Sequence, residues 1–164
     1  MSDLAKIRPM VEDDWGFIKY HWNRLTKISK DQIRKDENFR QAMDDRQRML
    51  LTTGSEIRMA CYPENEKALF GFACCKPDED VVHFVYVKNS FRFHGLAKLM
   101  LDGVDLEHVK ATHWTPSAES IKQKHPEHIE FCPDIIGANI DAKADKNKRS
   151  GIQGRAAIRR EADL

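Results

Sequence analysis

The spacing of hydrophobic positions changes twice along the chain, from helical to alternating and back to helical. After a short first strand around Ile7, Asp13 or Asp14 supplies a helix N-cap. A charged segment over 29–51 with a thin apolar seam predicts a second helix, which the Thr-Gly pair at 53–54 ends. In the first helix the apolar side chains recur at helical spacing, at Trp15, Ile18, Trp22 and Leu25.

Three stretches that read as strands follow, separated by turn-forming residues. They cover 55–62, 68–75 and 81–87. The connections between them are short, which favours an antiparallel meander. The third stretch is apolar on both faces, and this predicts a central strand rather than an edge strand.

Helical spacing then returns, at Leu96, Leu99, Met100 and Val104. Residues 111–115 predict a strand that Pro116 ends, and a strand, a helix and a returning strand imply a right-handed parallel crossover. A short helix over 117–125 and a last strand over 129–136 complete the pattern. We therefore predict an α/β domain over 1–136, with a mixed sheet that combines an antiparallel meander and a parallel strand-helix-strand crossover, flanked by helices.

The residues from 137 to 164 have a different character. This segment is polar and basic-leaning, and it has few large apolar side chains. We predict a C-terminal tail that contacts a partner protein or another copy of the chain, because a polar segment becomes ordered only through compensating contacts. The alternative is a helix that packs on its own domain through Ile152, Ala156, Ala157 and Ile158.

Composition narrows the function classes. The chain has 164 residues and a formal net charge of +1, which fits one domain without a basic field for nucleic acid. The tail has no aromatic residues on which bases could stack. We find no segment that resembles a signal peptide and no apolar run near the roughly 20 residues that span a bilayer. A soluble, cytoplasmic protein without membrane partners is the expectation.

The cysteines and histidines give no standard metal signature. None of the four cysteines forms a C-x-x-C pair, and we expect reduced, mostly buried thiols. His125, His128 and Cys132 lie close together in the chain, but their spacing fits no structural zinc site and a fourth ligand is missing. We therefore predict no metal.

The loop after the third meander strand has the features of an anion site. Gly95 opens directly onto a predicted helix, whose first turn has unpaired backbone N–H groups. A glycine lets the backbone approach an anion without a Cβ. Lys88, Arg92 and His94 add positive charge or hydrogen-bond donors nearby. The pattern predicts a phosphate cradle.

These residues also carry a resemblance. Arg92-Phe93-His94-Gly95-Leu96-Ala97 resembles the [Q/R]-x-x-G-x-[G/A] motif with which GCN5-related N-acetyltransferases (GNAT) bind acyl-CoA. The flanking strand and helix, the N-terminal segment and the coarse order of elements are also similar to that family, over about residues 6 to 135. The sequence around the motif also resembles that of small bacteriophage-encoded members of the fold.

The resemblance implies a co-substrate, acetyl-CoA, and residues that would bind it. The diphosphate would lie on the backbone N–H groups of 92–97, and the pantetheine arm would pair with the backbone of Val85 to Val87 between two splayed strands. A backbone N–H near Val85 would stabilise the oxyanion. The cofactor-binding set is therefore Val85, Val87, Arg92, Phe93, His94, Gly95, Leu96 and Ala97.

The catalytic groups are less well defined by the sequence. An amine acceptor must lose a proton before it attacks the thioester, and His83 on the central strand or His113 on the predicted fifth strand are the candidate bases. Many GNAT members use a tyrosine after the fifth strand as the acid, but residues 115–131 contain none, and His125 is the only substitute we identify there.

Two functions from different classes follow. The first is an N-acetyltransferase-like protein that acetylates an unspecified amine. The second is a catalytically inactive GNAT-fold structural or interaction protein, such as a virion component docked through residues 137–164. An open cleft between the fourth and fifth strands favours the enzyme, whereas a cleft plugged by Phe91, Phe93 or Trp114 favours the structural protein.

Overall fold

A mixed sheet forms the centre of the fold. The computed structural model describes residues 4–25, 37–113 and 115–132. Within these ranges the strands are β1 (Lys6–Pro9), β2 (Glu56–Tyr62), β3 (Asn65–Lys76), β4 (Val81–Val87), β5 (Val109–Ala111) and β6 (Ile129–Phe131). They lie side by side in chain order. The first four pair antiparallel, while β5 pairs parallel to β4 and β6 parallel to β5. The predicted mixed α/β sheet is confirmed.

The helices of the described ranges follow the predicted order. They are α1 (Trp15–Leu25), α2 (Glu37–Thr52), α3 (Leu96–Met100) and α4 (Pro116–Lys124). The apolar stripe of α1 faces the core, because Trp15, Ile18 and Trp22 are buried. In α2 the structure describes residues from Glu37 onward, so the predicted first part of that helix lies outside the described residues.

Asp14 has a different task from the N-cap that the sequence suggests. Its carboxylate accepts hydrogen bonds from the Arg8 guanidinium at 2.6 and 2.9 Å and from the Val11 backbone at 2.9 Å. Both side chains of the ion pair are nearly buried, and the guanidinium holds the pKa of Asp14 below its usual range despite the opposing effect of burial. The pair fixes the turn that leads from β1 into α1.

A β-bulge lies in β4 where the sheet changes from antiparallel to parallel pairing. Cys74 pairs with Phe84 but Cys75 pairs with Val82, so His83 is the extra residue. Simple alternation would put Val82 on the Phe84 face. Instead it packs, like Leu101, against the buried cluster that contains Val109.

Small residues allow α3 to lie close to the sheet. Leu96 and Met100 pack on Ala60 and Ala73, in a cluster that Ala5 and Phe70 complete. The Arg58 guanidinium of β2 donates to the Met100 carbonyl at 3.2 Å and also to the carbonyl of Asp102. Because the last carbonyls of a helix lack helical partners, this contact satisfies them and holds the end of α3.

The strands after α3 are shorter than predicted and begin earlier. The fifth strand is Val109–Ala111 and not 111–115, and Pro116 begins α4 rather than ending a strand. The Thr115 side chain accepts the Ala118 N–H, which makes it the N-cap. In the last strand only 129–131 pair. Its predicted remainder, the tail 137–164 and the boundary after 136 lie outside the described residues.

Two further expectations concern the cysteines and membranes. All four cysteines are free thiols, and three of them are buried. Burial raises the pKa of the Cys75 thiol to about 11, so it is protonated at neutral pH. In the described ranges, no helix combines the length and the apolar character that crossing a bilayer requires.

Candidate functional site

The sheet opens where β4 and β5 diverge. Pairing joins Val81 to Lys110 and Val82 to Ala111, and the last cross-strand hydrogen bond runs from the Thr112 N–H to the Val82 carbonyl at 3.2 Å. β4 continues to Val87, beyond the end of this pairing. Its second half therefore presents backbone groups to the gap.

The gap is an apolar cleft, which we call the fork cleft. Its inner part, a cavity of about 340 Å³, lies between β4, β5, α3 and α4. Its outer part, of about 650 Å³, extends to the 92–95 loop. Val85, Ala97 and Leu101 line both parts, which makes the cleft continuous. An apolar cleft with a polar backbone edge suits an extended chain that carries amides.

The β4 backbone has the arrangement that such a chain requires. The Lys88 N–H donates to the Phe70 carbonyl of β3 at 2.8 Å. Because backbone groups of an antiparallel strand alternate in direction, those of Val85 and Val87 point to the opposite side, into the cleft. The Val87 carbonyl accepts a hydrogen bond from Arg92 Nε at 3.2 Å. The predicted residues Val85, Val87 and Arg92 are therefore brought together.

The loop before α3 turns sharply through two left-handed residues. Phe93 has φ +67° and Gly95 has φ +76°. The N–H groups of Phe93, His94 and Gly95 donate no hydrogen bond to another described residue. A Cβ at Gly95 would meet open space, so the loop is accessible. Since α3 has only five residues, anion binding here would depend on these loop amides and not on a helix dipole.

The remaining residues of the motif differ in their location. Leu96 is buried beneath the helix, whereas Ala97 lines the cleft. The His94 ring nitrogen Nδ1 lies 2.8 Å from the Arg92 carbonyl and donates to it. Phe93 is fully exposed, and Phe91 stacks on Phe70 with ring centroids 4.1 Å apart. Neither phenylalanine plugs the cleft, and Trp114 lies outside the described residues.

His83 is held on both sides of its ring. Its Nε2 lies 2.7 Å from Ser55 Oγ and its Nδ1 lies 2.8 Å from Thr112 Oγ1. The ring is 4% exposed, and burial, with a smaller effect of His113, lowers its pKa to about 4. The imidazole is thus neutral and joins β2, the bulge of β4 and the end of β5. A role as base stays a prediction, and the geometry favours a positioning role.

His113 continues the same chain of hydrogen bonds. Its Nδ1 lies 2.9 Å from Thr112 Oγ1, and its ring edge meets Trp22 with centroids 5.4 Å apart. Burial, followed by the charge of Arg46, lowers its pKa to about 4, against the opposing effect of a hydrogen bond from its ring to the His83 backbone. It lines the inner cleft, so its base role also stays a prediction.

A histidine that the sequence did not single out lies on the α1 side of β4. The His21 ring stacks on Tyr86 with centroids 3.9 Å apart. Both line a cavity of about 270 Å³ with Arg24, Asn89 and Arg92, which we call the α1 pocket. The one available signal was the i, i+4 spacing of Phe17 and His21, which contact each other edge to face.

The histidines near the C-terminal end of the described chain form a surface group. His125, Glu127 and His128 have ligand atoms within 4.8 Å of one another and could hold a metal ion. Cys132 is not part of the group, unlike the combination that the sequence suggests. His125 is exposed and is not among the described residues that line the fork cleft, so its role as a substitute for the missing tyrosine acid stays a prediction.

Comparison with known proteins gives matches in structure alone. No family model matches the chain, and no curated protein matches it. A GNAT-family acetyltransferase from Desulfovibrio desulfuricans aligns at 14% identity and a TM-score of 0.40, over 59% of this chain and 61% of that one. The chain thus spans about three fifths of that structure's length.

Two further solved structures align over more of the chain. AAC(6')-Iy, in complex with the bisubstrate analogue CoA-S-monomethyl-acetylneamine, has 15% identity and a TM-score of 0.48, over 77% of this chain and 91% of that one. A ribosomal-protein-alanine N-acetyltransferase from Brucella melitensis biovar Abortus 2308 has 13% identity and a TM-score of 0.39, over 82% and 87%. The likeness is one of fold. What this chain binds has to be argued from its own residues.

Proposed function

We propose that the protein transfers an acetyl group from acetyl-CoA to an amine. The observation that carries the proposal is the fork cleft, open between β4 and β5 and bordered by a free strand edge. This is the feature that separates the enzyme from the inactive structural alternative. That alternative depends on the tail, and no observation within the described residues favours it.

The chain offers a place for each part of acetyl-CoA. The amides of the pantetheine arm would pair with the backbone of Val85 and Val87, and its apolar parts would contact Ala97 and Leu101. The diphosphate would lie on the loop amides of 93–95, beside Arg92. This orientation puts the thioester deeper in the cleft, towards the fork.

The reaction needs three steps that these surroundings favour. A base removes one proton from the ammonium group, and the amine nitrogen then forms a bond to the thioester carbon. A backbone N–H of β4 near Val85 stabilises the oxyanion. The carbon–sulfur bond breaks, the nitrogen releases its second proton, and the CoA thiolate takes up a proton. The apolar walls exclude water, which limits hydrolysis of the thioester.

Calorimetric titration of acetyl-CoA tests the proposal in one step. We expect binding to the wild type and a loss of at least about tenfold, or 1.4 kcal/mol, in Gly95→Glu. The new carboxylate there would face the diphosphate. Gly103→Glu is the matched control, since Gly103 also has a positive φ, of +84°, and a Cβ there would make only an ordinary contact with Pro77. It carries the same backbone strain outside the cleft.

Two results would contradict the proposal. The first is no binding of acetyl-CoA to the folded wild type. The second is an equal loss in both glutamate variants, because that would trace the effect to backbone strain. The predicted contact of 137–164 with a partner remains a separate proposal, which the oligomeric state of the full chain would test.

A further inference from the structure

The α1 pocket is positively charged. Two of its five lining residues are arginines, Arg24 at the end of α1 and Arg92 in the loop after β4, and none is acidic. Among the described residues no carboxylate forms an ion pair with either guanidinium. Lys88 does not line the pocket but lies nearby, with its ammonium 5.3 Å from the centre of the Phe17 ring, which contacts His21. A pocket with this charge favours an anion.

His21 gives the same pocket a proton acceptor. Stacking on Tyr86 and an edge contact with Phe17 fix the ring, which lines the pocket beside Arg24. Burial, followed by the charges of Lys88 and Arg24, lowers the pKa of His21 below its ordinary value. The ring is therefore neutral at physiological pH, and a neutral imidazole has a nitrogen lone pair that can accept a proton.

The α1 pocket lies next to the fork cleft. Tyr86 and Arg92 line both cavities. Tyr86 follows Val85, whose backbone faces the cleft where the thioester is proposed to lie. An amine that enters beside His21 therefore lies next to the part of β4 at which the thioester carbon is proposed to lie.

We infer that the acceptor is a small primary amine that also carries an anionic group, a phosphate or a carboxylate, and that Arg24 holds the anion while His21 accepts the amine proton. This rests on the proposed function and names the substrate class of the same site. His21 takes one proton from the ammonium group, and the nitrogen lone pair then forms the bond to the acetyl carbon. The carbon–sulfur bond breaks, the nitrogen releases its second proton to the CoA thiolate, and the proton on His21 passes to solvent.

Binding of simple probes tests the anion site without any chemistry. O-phosphoethanolamine and β-alanine carry an amine with a phosphate or a carboxylate, and ethanolamine lacks the anion. We expect at least tenfold tighter binding of one of the two anionic probes than of ethanolamine, and the two arms distinguish phosphate from carboxylate. Arg24→Ala should remove this preference. Arg40→Ala is the control, because it removes one cation from the surface of α2.

The same samples are then titrated in the presence of saturating CoA. Probe binding that persists with CoA supports an acceptor site, whereas displacement by CoA would show that the α1 pocket belongs to the CoA site and would overturn the inference. Equal binding of ethanolamine, or an unchanged preference in Arg24→Ala, would also overturn it.

Activity provides the readout for His21. With acetyl-CoA and the preferred probe, thiol release should fall at least tenfold in kcat in His21→Gln, while the affinity for the probe stays within twofold. An unchanged kcat would overturn the role of His21. Failure of acetyl-CoA to bind would refute the proposed function and, with it, the acceptor role of the α1 pocket. The anion preference of the pocket is measured without acetyl-CoA, so the two failures are distinguishable.

Discussion

The two halves of the sheet differ in how firmly they are joined. The meander, β1 to β4, has long antiparallel ladders and a core of buried aromatic and sulfur-containing side chains. The fork, β5, α4 and β6 with the adjoining α3, has strands of three residues. The fork surrounds a cleft, whereas the meander surrounds a packed core. The difference suggests that the meander provides stability and the fork provides the ligand site.

The largest effect is expected within the meander, at Gly71. A Cβ there would lie 2.2 Å from the Tyr86 carbonyl oxygen of the neighbouring strand. Since backbone cannot move aside as a side chain can, Gly71→Ala should cost more than about 3 kcal/mol of unfolding free energy. Urea denaturation would measure this.

Gly16→Ala is the matched control for that substitution. Gly16 lies in α1, and a Cβ there meets nothing within 4 Å, so it should stabilise by up to about 1 kcal/mol. Equal effects of the two substitutions would remove the distinction between a tightly paired meander and the rest of the molecule.

The second effect concerns the junction of the two halves, at His83. Its pKa is about 4 in the folded protein against an ordinary value of 6.5. The unfolded chain therefore binds a proton between these values that the folded protein does not, and stability falls as the pH drops through this window. The two pKa values differ by about 2.5 units, and each unit corresponds to about 1.4 kcal/mol. Protonation of His83 in the unfolded chain should therefore lower the unfolding free energy by on the order of 3 kcal/mol across this window.

Unfolding free energies at pH 7, 5.5 and 4.5 would measure that loss. In His83→Asn the slope of the unfolding free energy against pH should decrease by the equivalent of about one proton. His113, whose pKa is also lowered to about 4, should still contribute to the remaining slope. An unchanged slope in the variant would show that the folded protein does not lower the pKa of His83.

The sequence predicted the meander better than the fork, for a physical reason. Short turns bound the apolar stretches that form β2, β3 and β4, and the helix with Trp15, Ile18 and Trp22 follows from spacing alone. The third residue of β4 was assigned to a regular strand, yet His83 is the bulge, because a bulge depends on the register of the partner strand. β5 was placed two residues too late, since three-residue strands leave too few positions for a pattern.

The site shows the same limit. The loop from Arg92 to Ala97 was recognised as a unit because its residues are adjacent in the chain. The contacts of His83 with Ser55 and Thr112, and of His21 with Tyr86, join residues from separate elements. Spacing in one sequence gives no information about such contacts, so the candidate bases were chosen by residue type and predicted strand, without their partners.

The third effect belongs to the fork. Ala97 lines both parts of the cleft, and Ala97→Trp should fill it. Acetyl-CoA affinity should fall at least about tenfold, or 1.4 kcal/mol, while the unfolding free energy changes by less than about 1 kcal/mol, since the new ring enters existing space. Calorimetry and urea denaturation would measure the two quantities.

Ala42→Trp, on the exposed surface of α2, is the control for adding an indole. If Ala97→Trp destabilises the protein as strongly as Gly71→Ala, the cleft is as tightly packed as the core. The division of tasks between the two halves would then be wrong.

The smallest expected effect concerns backbone strain at Phe93, in the loop before α3. Phe93 has a left-handed φ of +67°, which costs a residue with a Cβ roughly 1 kcal/mol. Its side chain is fully exposed, so removing it loses no packing. Phe93→Gly should therefore raise the unfolding free energy by up to about 1 kcal/mol, whereas Phe93→Ala, which keeps the Cβ, should leave it unchanged. A gain that requires glycine identifies backbone strain as its cause. An equal gain from alanine would instead trace it to the exposed ring, and the loop would then carry no strain that the meander lacks.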